Sequence, residues 1–263
     1  MSNLTQNSDP YAEIVDFYDL EHDEFAEDIP FYLNSITSVG DPVLELGCGT
    51  GRLLRPIAKA GFRVTGVDSS APMLRKAQRS LAPAQRKRVT LHDGLMEEAA
   101  EAPGAPFGVV IFGLNGLLHL NDPQVQLRAL RSAREALDPR GQLLVDVLNP
   151  TLDTLRHFEI GVMHEGTWVR DDGNQIDKFS ARKVSTSGQT IQTRIWYDIT
   201  ATNGELRRVG TSFELRFLHR NELELMLDIA GFCDIQVYGG YELEPYDDAS
   251  ERLIIAADVR SSS

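Results

Sequence analysis

Val43-Leu44-Glu45-Leu46-Gly47-Cys48-Gly49-Thr50-Gly51 is the stretch that decides the fold of this chain. Its first four residues are mostly apolar, three glycines follow at alternate positions, and residues 52–60 carry apolar side chains at helical spacing. This pattern predicts a strand, a tight glycine loop and a helix. Glycine lets such a loop adopt positive φ and approach a ligand closely, while the start of the helix presents unpaired N–H groups. We therefore expect a small-ligand site at this turn, of the kind that nucleotides occupy.

Acidic side chains end the next two predicted strands. Residues 62–68 form a strand-like run that closes on Asp68, and residues 88–92 form another that is followed by Asp93 and Gly94. If these strands share a parallel sheet, Asp68 lies where a ribose would bind. The glycines do not fit the G-x-G-x-x-G pattern of dinucleotide-binding folds, because the third glycine comes one residue early. The pattern predicts a nucleotide-like ligand but lacks the dinucleotide fingerprint.

The chain resembles the class I S-adenosylmethionine-dependent methyltransferases in the spacing of Glu45, Gly47, Gly49, Gly51, Asp68 and Asp93. The resemblance covers most of residues 11–150 and 216–260. It implies that the glycine loop carries the methionine part of S-adenosyl-L-methionine, that Asp68 holds the ribose hydroxyls, and that Asp93 approaches the adenine amino group. The outline is similar to small-molecule members such as the amino-sugar N,N-dimethyltransferases and the glycine/sarcosine methyltransferases.

The predicted cofactor site takes its residues from the positions that match the family. They are Tyr18, Gly47, Cys48, Gly49, Gly51, Asp68, Ser69, Met73, Asp93, Gly94 and Leu114. Tyr18 belongs to an N-terminal cap and Met73 would flank the adenine, but either side chain could equally be core filler. Cys48 is expected to contribute only its backbone.

Acceptor chemistry is predicted on the segment that follows the fourth strand. Methyl transfer is an in-line displacement that depends on positioning and requires no metal; an amine need only present its lone pair, whereas a hydroxyl needs a base. We expect Asn115 to orient a polar group of the substrate, and His119 to accept a proton or hydrogen-bond the acceptor, since imidazole titrates near neutrality. The alternative for His119, which lies among leucines, is a structural role. Tyr241, Tyr246 and Asp248 are further candidates for the acceptor pocket.

The order of predicted elements indicates an α/β fold, with a Rossmann-like parallel sheet covered by helices on both faces. The resemblance extends it to the seven-stranded methyltransferase sheet. We expect residues 1–40 to form a helical cap, 41–150 the cofactor-binding core, and 216–260 a helix and the closing strands. Residues 151–215 contain β-rich runs, the first starting at Trp168, that are separated by turn signals, and these predict an antiparallel β insertion. This insertion should cover the acceptor pocket, form a homodimer contact, or do both.

Composition restricts the partners and the location of the protein. A net charge of −13 over 263 residues argues against nucleic acid and against an anionic membrane surface. Cys48 and Cys233 lack the spacing of a zinc site or a disulfide framework. We see no signal peptide and no membrane-spanning run, so a cytoplasmic location is expected. Residues 1–10 and 260–263 are predicted to be disordered.

The sequence therefore predicts a methyltransferase that uses S-adenosylmethionine to methylate N or O of a small molecule. One alternative is an NAD(P)-dependent oxidoreductase, which the early third glycine and Asp93 disfavour. Another is a non-catalytic cofactor-binding module. A methyltransferase of macromolecules is disfavoured by the acidic charge balance.

Overall fold

The computed structural model describes residues 9–259, so the expected disorder of residues 1–8 and 260–263 lies outside the described residues. The helices of the described residues are α1 Val15–His22, α2 Ile29–Val39, α3 Leu54–Lys59, α4 Ala71–Ser80, α5 Pro123–Ala136, α6 Leu152–Phe158 and α7 Arg220–Ala230, with 3₁₀ turns at Gln85–Lys87, Met96–Glu101 and Gly116–His119. The strands are β1 Val43–Leu46, β2 Val64–Asp68, β3 Val89–Asp93, β4 Phe107–Phe112, β5 Leu137–Leu148, β6 Val162–Val169, β7 Gln175–Ser185, β8 Thr190–Thr200, β9 Leu206–Arg216, β10 Phe232–Tyr238 and β11 Arg252–Val259.

Seven strands form the main sheet, in the order β10-β11-β5-β4-β1-β2-β3. The five strands from β3 to β5 in this order are parallel, whereas β11 runs antiparallel to both β5 and β10. This arrangement confirms the predicted seven-stranded α/β sheet. The chain order reverses between β1 and β4, so the loops after these strands open a crevice, and ligands of such sheets bind in that crevice.

The central strand β4 is buried on both faces. Phe107, Val110 and Phe112 join the apolar cluster on one side of the sheet, while Val109 and Ile111 join the cluster on the other side. A parallel strand between two helical layers needs apolar side chains on both faces, which is why this run shows no alternation. The strand is therefore a rigid support for the loop that follows it.

A separate antiparallel sheet has the strand order β6-β7-β8-β9. Its hairpin turns fall at the turn signals seen in the sequence, and its inner face packs against α1, where the rings of Phe17 and Tyr197 stack at 4.9 Å. The sequence placed the first of these strands only at Trp168, but β6 begins at Val162. The difference arises because β6 is an edge strand with a bulge between His164 and Gly166, which interrupts its alternation.

Two structural absences apply to residues 9–259. No helix there combines the length and apolar character needed to cross a membrane. Within the same range, no three potential ligands among His, Cys, Asp and Glu are grouped to hold a metal ion.

Candidate functional site

A cavity of about 510 Å³ lies beyond the carboxyl ends of β1, β2 and β4. Its walls come from the glycine loop, the start of α4, the loops after β3 and β4, the segment before α1, and strand β9. Most of the predicted site residues line it, namely Tyr18, Gly47, Cys48, Gly49, Asp68, Ser69, Met73, Gly94, Leu114 and His119.

The glycine loop is pinned to the end of β2. The backbone N–H groups of Gly47 and Cys48 both donate to the Val67 carbonyl, at 2.8 and 3.0 Å. Gly47 has φ +76°, a conformation that favours glycine, and a Cβ built on it would meet only the flexible end of Met96, with Cε at 2.6 Å. The loop thus presents bare backbone to a ligand.

Asp68 is held in a fixed orientation at the end of β2. Its Oδ2 accepts from the Gly49 N–H at 2.7 Å, and its Oδ1 accepts from the Ser70 N–H at 2.8 Å. Burial raises the pKa of the carboxyl, and the nearby Asp9 carboxylate acts in the same direction, while the two backbone hydrogen bonds oppose the rise. A carboxylate has room for further hydrogen bonds beyond these two, so Asp68 can still bind ligand hydroxyls.

The residues just before α1 belong to the site. Asp9 Oδ2 accepts from the Ser70 hydroxyl at 2.7 Å, Asp9 Oδ1 accepts from the Tyr11 N–H at 3.0 Å, and Pro10 also lines the cavity. Disorder was predicted as far as residue 10, and for Asp9 and Pro10 this was wrong. Asp9 and Ser70 are 61 residues apart, so their contact leaves no local signal in the sequence.

Three predicted site residues lie outside the cavity wall. Gly51, with φ +82°, packs on α4, where an added Cβ would lie 3.3 Å from Ala77 Cβ. Asp93 is exposed at the end of β3, in register with Asp68.

Asn115 is the third of them, and its placement corrects the expected role. Its Oδ1 accepts from the Leu148 N–H of β5 at 2.7 Å, so the side chain is directed at the sheet and not at a substrate. The left-handed backbone of Asn115, with φ +68°, turns the side chain that way.

Polar side chains to which the sequence analysis gave no role in the site complete the cavity wall near the glycine loop. Glu45 is buried, and burial raises its pKa to about 8, with the Arg52 charge acting against the rise. Within the described residues, Glu45 Oε2 and the Thr50 hydroxyl have no hydrogen-bond partner. Arg52 lines the cavity while its guanidinium donates to both carboxylate oxygens of Asp28, at 2.8 and 2.5 Å. The sequence signal for Arg52 was its position directly after the third glycine.

A group of aromatic side chains forms another part of the cavity wall. The Tyr11 hydroxyl lies 3.1 Å from His119 Nε2, and the Tyr11 ring stacks on Phe213 at 5.6 Å and meets Tyr18 edge-on. Burial lowers the pKa of His119 to about 4 and raises the pKa of Tyr11 well above 10, so both groups are neutral at physiological pH. The sequence reading assigned no role to Tyr11 or Phe213, because they come together only in the folded chain.

The last loop does not reach the cavity. The Tyr241 hydroxyl donates to Asp146 at 2.9 Å and the Tyr246 hydroxyl donates to Asn149 at 2.8 Å. Neither tyrosine lines the cavity, and Asp248 does not either. The side chains of Tyr11 and Phe213 line the cavity instead.

Known proteins resemble this chain in sequence and in structure. Residues 43–141 match the family model described as a methyltransferase domain. A putative methyltransferase of Geobacillus sp. is 36% identical over 216 residues, which cover 82% of this chain and 83% of that protein. A ubiquinone biosynthesis O-methyltransferase of Caulobacter sp. is 32% identical over 127 residues, 48% of each chain. The chain thus spans about half the length of the ubiquinone-related proteins it matches first.

A solved structure has the same fold over nearly the whole chain. The CcbJ methyltransferase from Streptomyces caelestis is 26% identical, with a TM-score of 0.75, and the match covers 96% of this chain and 98% of that one. The similarity therefore includes the four-stranded sheet as well as the main sheet.

Proposed function

We propose, from the premise that this chain belongs to the class I S-adenosylmethionine-dependent methyltransferases, that it transfers a methyl group to N or O of a small molecule. The observation that carries the proposal is one cavity lined by two unlike groups of residues. One group consists of acidic side chains and the bare backbone of the glycine loop, and the other consists of neutral aromatic side chains.

The residues present fit the cofactor of this family. The unpartnered Glu45 Oε2 and Thr50 hydroxyl need polar ligand atoms, because a buried polar group without a hydrogen bond is costly. The amino group of the methionine part would satisfy them, and Arg52 would pair with its carboxylate. Asp68 would accept from the ribose hydroxyls. Gly47 leaves the backbone bare where the ligand must pass closely.

When bound, S-adenosylmethionine supplies a methyl group on a sulfonium and leaves as a neutral thioether. The chain itself binds, aligns and excludes water. Tyr11 and His119 hold the acceptor by hydrogen bonding, and the Phe213 ring closes the space beside them. A His119 whose pKa lies near 4 is a poor base for a hydroxyl, and this favours an amine nitrogen as the methyl acceptor. Oxygen is the alternative, and the Caulobacter relative is named as an O-methyltransferase.

Calorimetry with the purified protein tests the cofactor. We expect binding of S-adenosylmethionine and S-adenosylhomocysteine and no binding of NADH or NADPH. Affinity for a nicotinamide cofactor alone would instead establish the oxidoreductase alternative.

A substrate panel tests the reaction. Small amines and their hydroxyl counterparts are incubated with S-adenosylmethionine, and release of S-adenosylhomocysteine is followed. Faster release with amines supports the nitrogen assignment, and faster release with hydroxyl compounds contradicts it. If the cofactor binds but no compound in the panel is methylated, a non-catalytic cofactor-binding module becomes the better description.

The partners follow from the same reading. Strand β9 brings Ser212, Phe213 and Glu214 to the cavity, which supports a covering role for the four-stranded sheet over the acceptor. The homodimer, the cytoplasmic location and the exclusion of nucleic acid stay predictions, and light scattering of the purified protein measures the first of them.

A further inference from the structure

Asp146 lies near the carboxyl end of β5, is fully buried, and does not line the cavity. Its Oδ1 accepts from Arg252 Nε at 2.8 Å, and its Oδ2 accepts from the Tyr241 hydroxyl at 2.9 Å and from the Leu114 N–H at 3.2 Å. A more distant donor, the Tyr32 hydroxyl, lies at 3.4 Å. A buried carboxylate requires such partners because its desolvation is costly. Asp146 therefore links strand β11, which carries Arg252, to the loop after β4.

That loop has an unusual backbone. Leu114 and Asn115 are consecutive residues with positive φ, +40° and +68°, and neither is glycine. Such residues persist only where the surrounding structure holds them, and they are concentrated at functional sites.

Hydrogen bonds from β5 hold this turn. The Leu114 N–H donates to the Asp146 carboxylate, and the Asn115 N–H donates to the Asp146 carbonyl at 2.9 Å. The Asn115 side chain in turn accepts from the Leu148 N–H. All three hydrogen bonds thus join the turn to strand β5.

The turn also determines where two parts of the cavity wall lie. Gly113, Leu114 and Gly116 line the cavity, and the 3₁₀ turn Gly116–His119 starts directly afterwards and delivers His119. A Cβ on Gly116 would lie 3.3 Å from the Leu46 carbonyl, so the turn runs directly against the end of β1. A shift of Leu114 would therefore displace both the wall near the glycine loop and the imidazole.

We propose that Asp146, held by Arg252, is a positioning residue that fixes the left-handed turn at 114–115 and thereby the cavity wall and His119. The proposal rests on the proposed function, in that the cavity is taken to bind S-adenosylmethionine. It goes further because it assigns a role to an ion pair, Asp146 with Arg252, that does not line the cavity.

A second buried carboxylate that is paired with an arginine provides the matched control. Asp198 of β8 is buried, and both of its oxygens accept from the guanidinium of Arg208 of β9 at 2.6 Å. This pair lies within the four-stranded sheet, and neither residue lines the cavity.

The experiment compares Asp146→Asn with Asp198→Asn. Thermal midpoints are measured first, and affinity for S-adenosylhomocysteine is then determined by calorimetry at a temperature where all variants are folded. Hydrogen exchange of residues 113–119 is followed in the absence of ligand. We expect both substitutions to lower the thermal midpoint. Only Asp146→Asn should weaken the affinity tenfold or more and accelerate exchange in residues 113–119.

Wild-type affinity and exchange in Asp146→Asn would overturn the proposal, as would an equal loss of affinity in Asp198→Asn. If Asp146→Asn does not fold, Arg252→Lys keeps the charge without the two-pronged hydrogen bonding and should weaken the affinity about threefold while accelerating exchange. Should the wild-type protein bind no S-adenosylhomocysteine, the proposed function fails, and the exchange rates alone then decide on the positioning role.

Discussion

The hydroxyl of Tyr11, four residues before α1, lies 3.1 Å from Nε2 of His119, which ends the 3₁₀ turn after β4. The two side chains belong to segments 108 residues apart, and their hydrogen bond lies in the cavity wall, at the proposed acceptor site. Because burial keeps both groups neutral, the pair presents hydrogen-bonding atoms in an otherwise aromatic surrounding.

Removing the hydroxyl tests the importance of this pair. Tyr11→Phe keeps the stack on Phe213 and deletes the hydrogen bond to His119. We expect kcat/KM to fall about fivefold, since one hydrogen bond contributes roughly 1 kcal/mol, with cofactor affinity unchanged. Tyr197→Phe is the control, because Tyr197 stacks on Phe17 beside α1 but does not line the cavity. Equal kcat/KM in Tyr11→Phe and the wild type would contradict the role of the pair.

The carboxylate of Asp68 should contribute to cofactor affinity. Asp68→Asn replaces an acceptor of charge-assisted hydrogen bonds, which contribute about 1.5–3 kcal/mol, so we expect the dissociation constant for S-adenosylmethionine to rise roughly ten- to hundredfold. Asp93→Asn should change it less than about threefold, because Asp93 is exposed and lies outside the cavity wall. Calorimetry measures both constants, and the reverse order of effects would reassign the ribose contact.

Gly47→Ala separates backbone strain from ligand contact. The new Cβ meets only the flexible end of Met96, so the cost in folding arises chiefly from the φ of +76° and should be about 1 kcal/mol. Gly61→Ala has a comparable backbone penalty at φ +104° with open space around it. Chemical denaturation should show similar losses of unfolding free energy for both. Only Gly47→Ala should impair cofactor binding. Unimpaired binding in this variant would show that the backbone at Gly47 does not contact the cofactor.

The half-buried imidazole of His119 predicts a pH dependence of stability. His119 has a pKa of about 4 in the folded protein, below the value near 6.5 of an exposed histidine. Between these values the unfolded chain binds more protons than the folded one, so the free energy of unfolding falls as pH decreases from about 6.5 to about 4. Urea denaturation of the wild type and of His119→Gln across this range measures the difference. The free energy of unfolding should change less with pH in the variant than in the wild type. An equal dependence on pH in the two proteins would show that the folded protein does not hold His119 in its neutral form.

Much of the fold could be predicted from the sequence because local patterns determine it. The apolar run of β4, the glycine loop and the hairpin turns each reflect a strong preference of single residues or short periods. Strand β6 was read too short because its bulge and edge position remove the alternation on which such a prediction depends.

The site was predicted less completely, since its polar geometry depends on contacts between distant segments. Gly47 and Asp68 follow a local motif, and both line the cavity. The direction of the Asn115 side chain depends on a left-handed backbone that its sequence neighbours do not indicate. Tyr11 and Phe213 meet across about 200 positions of the chain.

Strand β9 contributes Ser212, Phe213 and Glu214 to a cavity whose other residues come from the loops and helices of the main sheet and from the N-terminal segment. One part of the wall beside the proposed acceptor is thus encoded apart from the cradle proposed for the cofactor. Exchange of a single hairpin can alter which molecule is methylated while the methyl donor stays the same. Selection for a new substrate then acts on the segment of the chain that is least constrained by the chemistry.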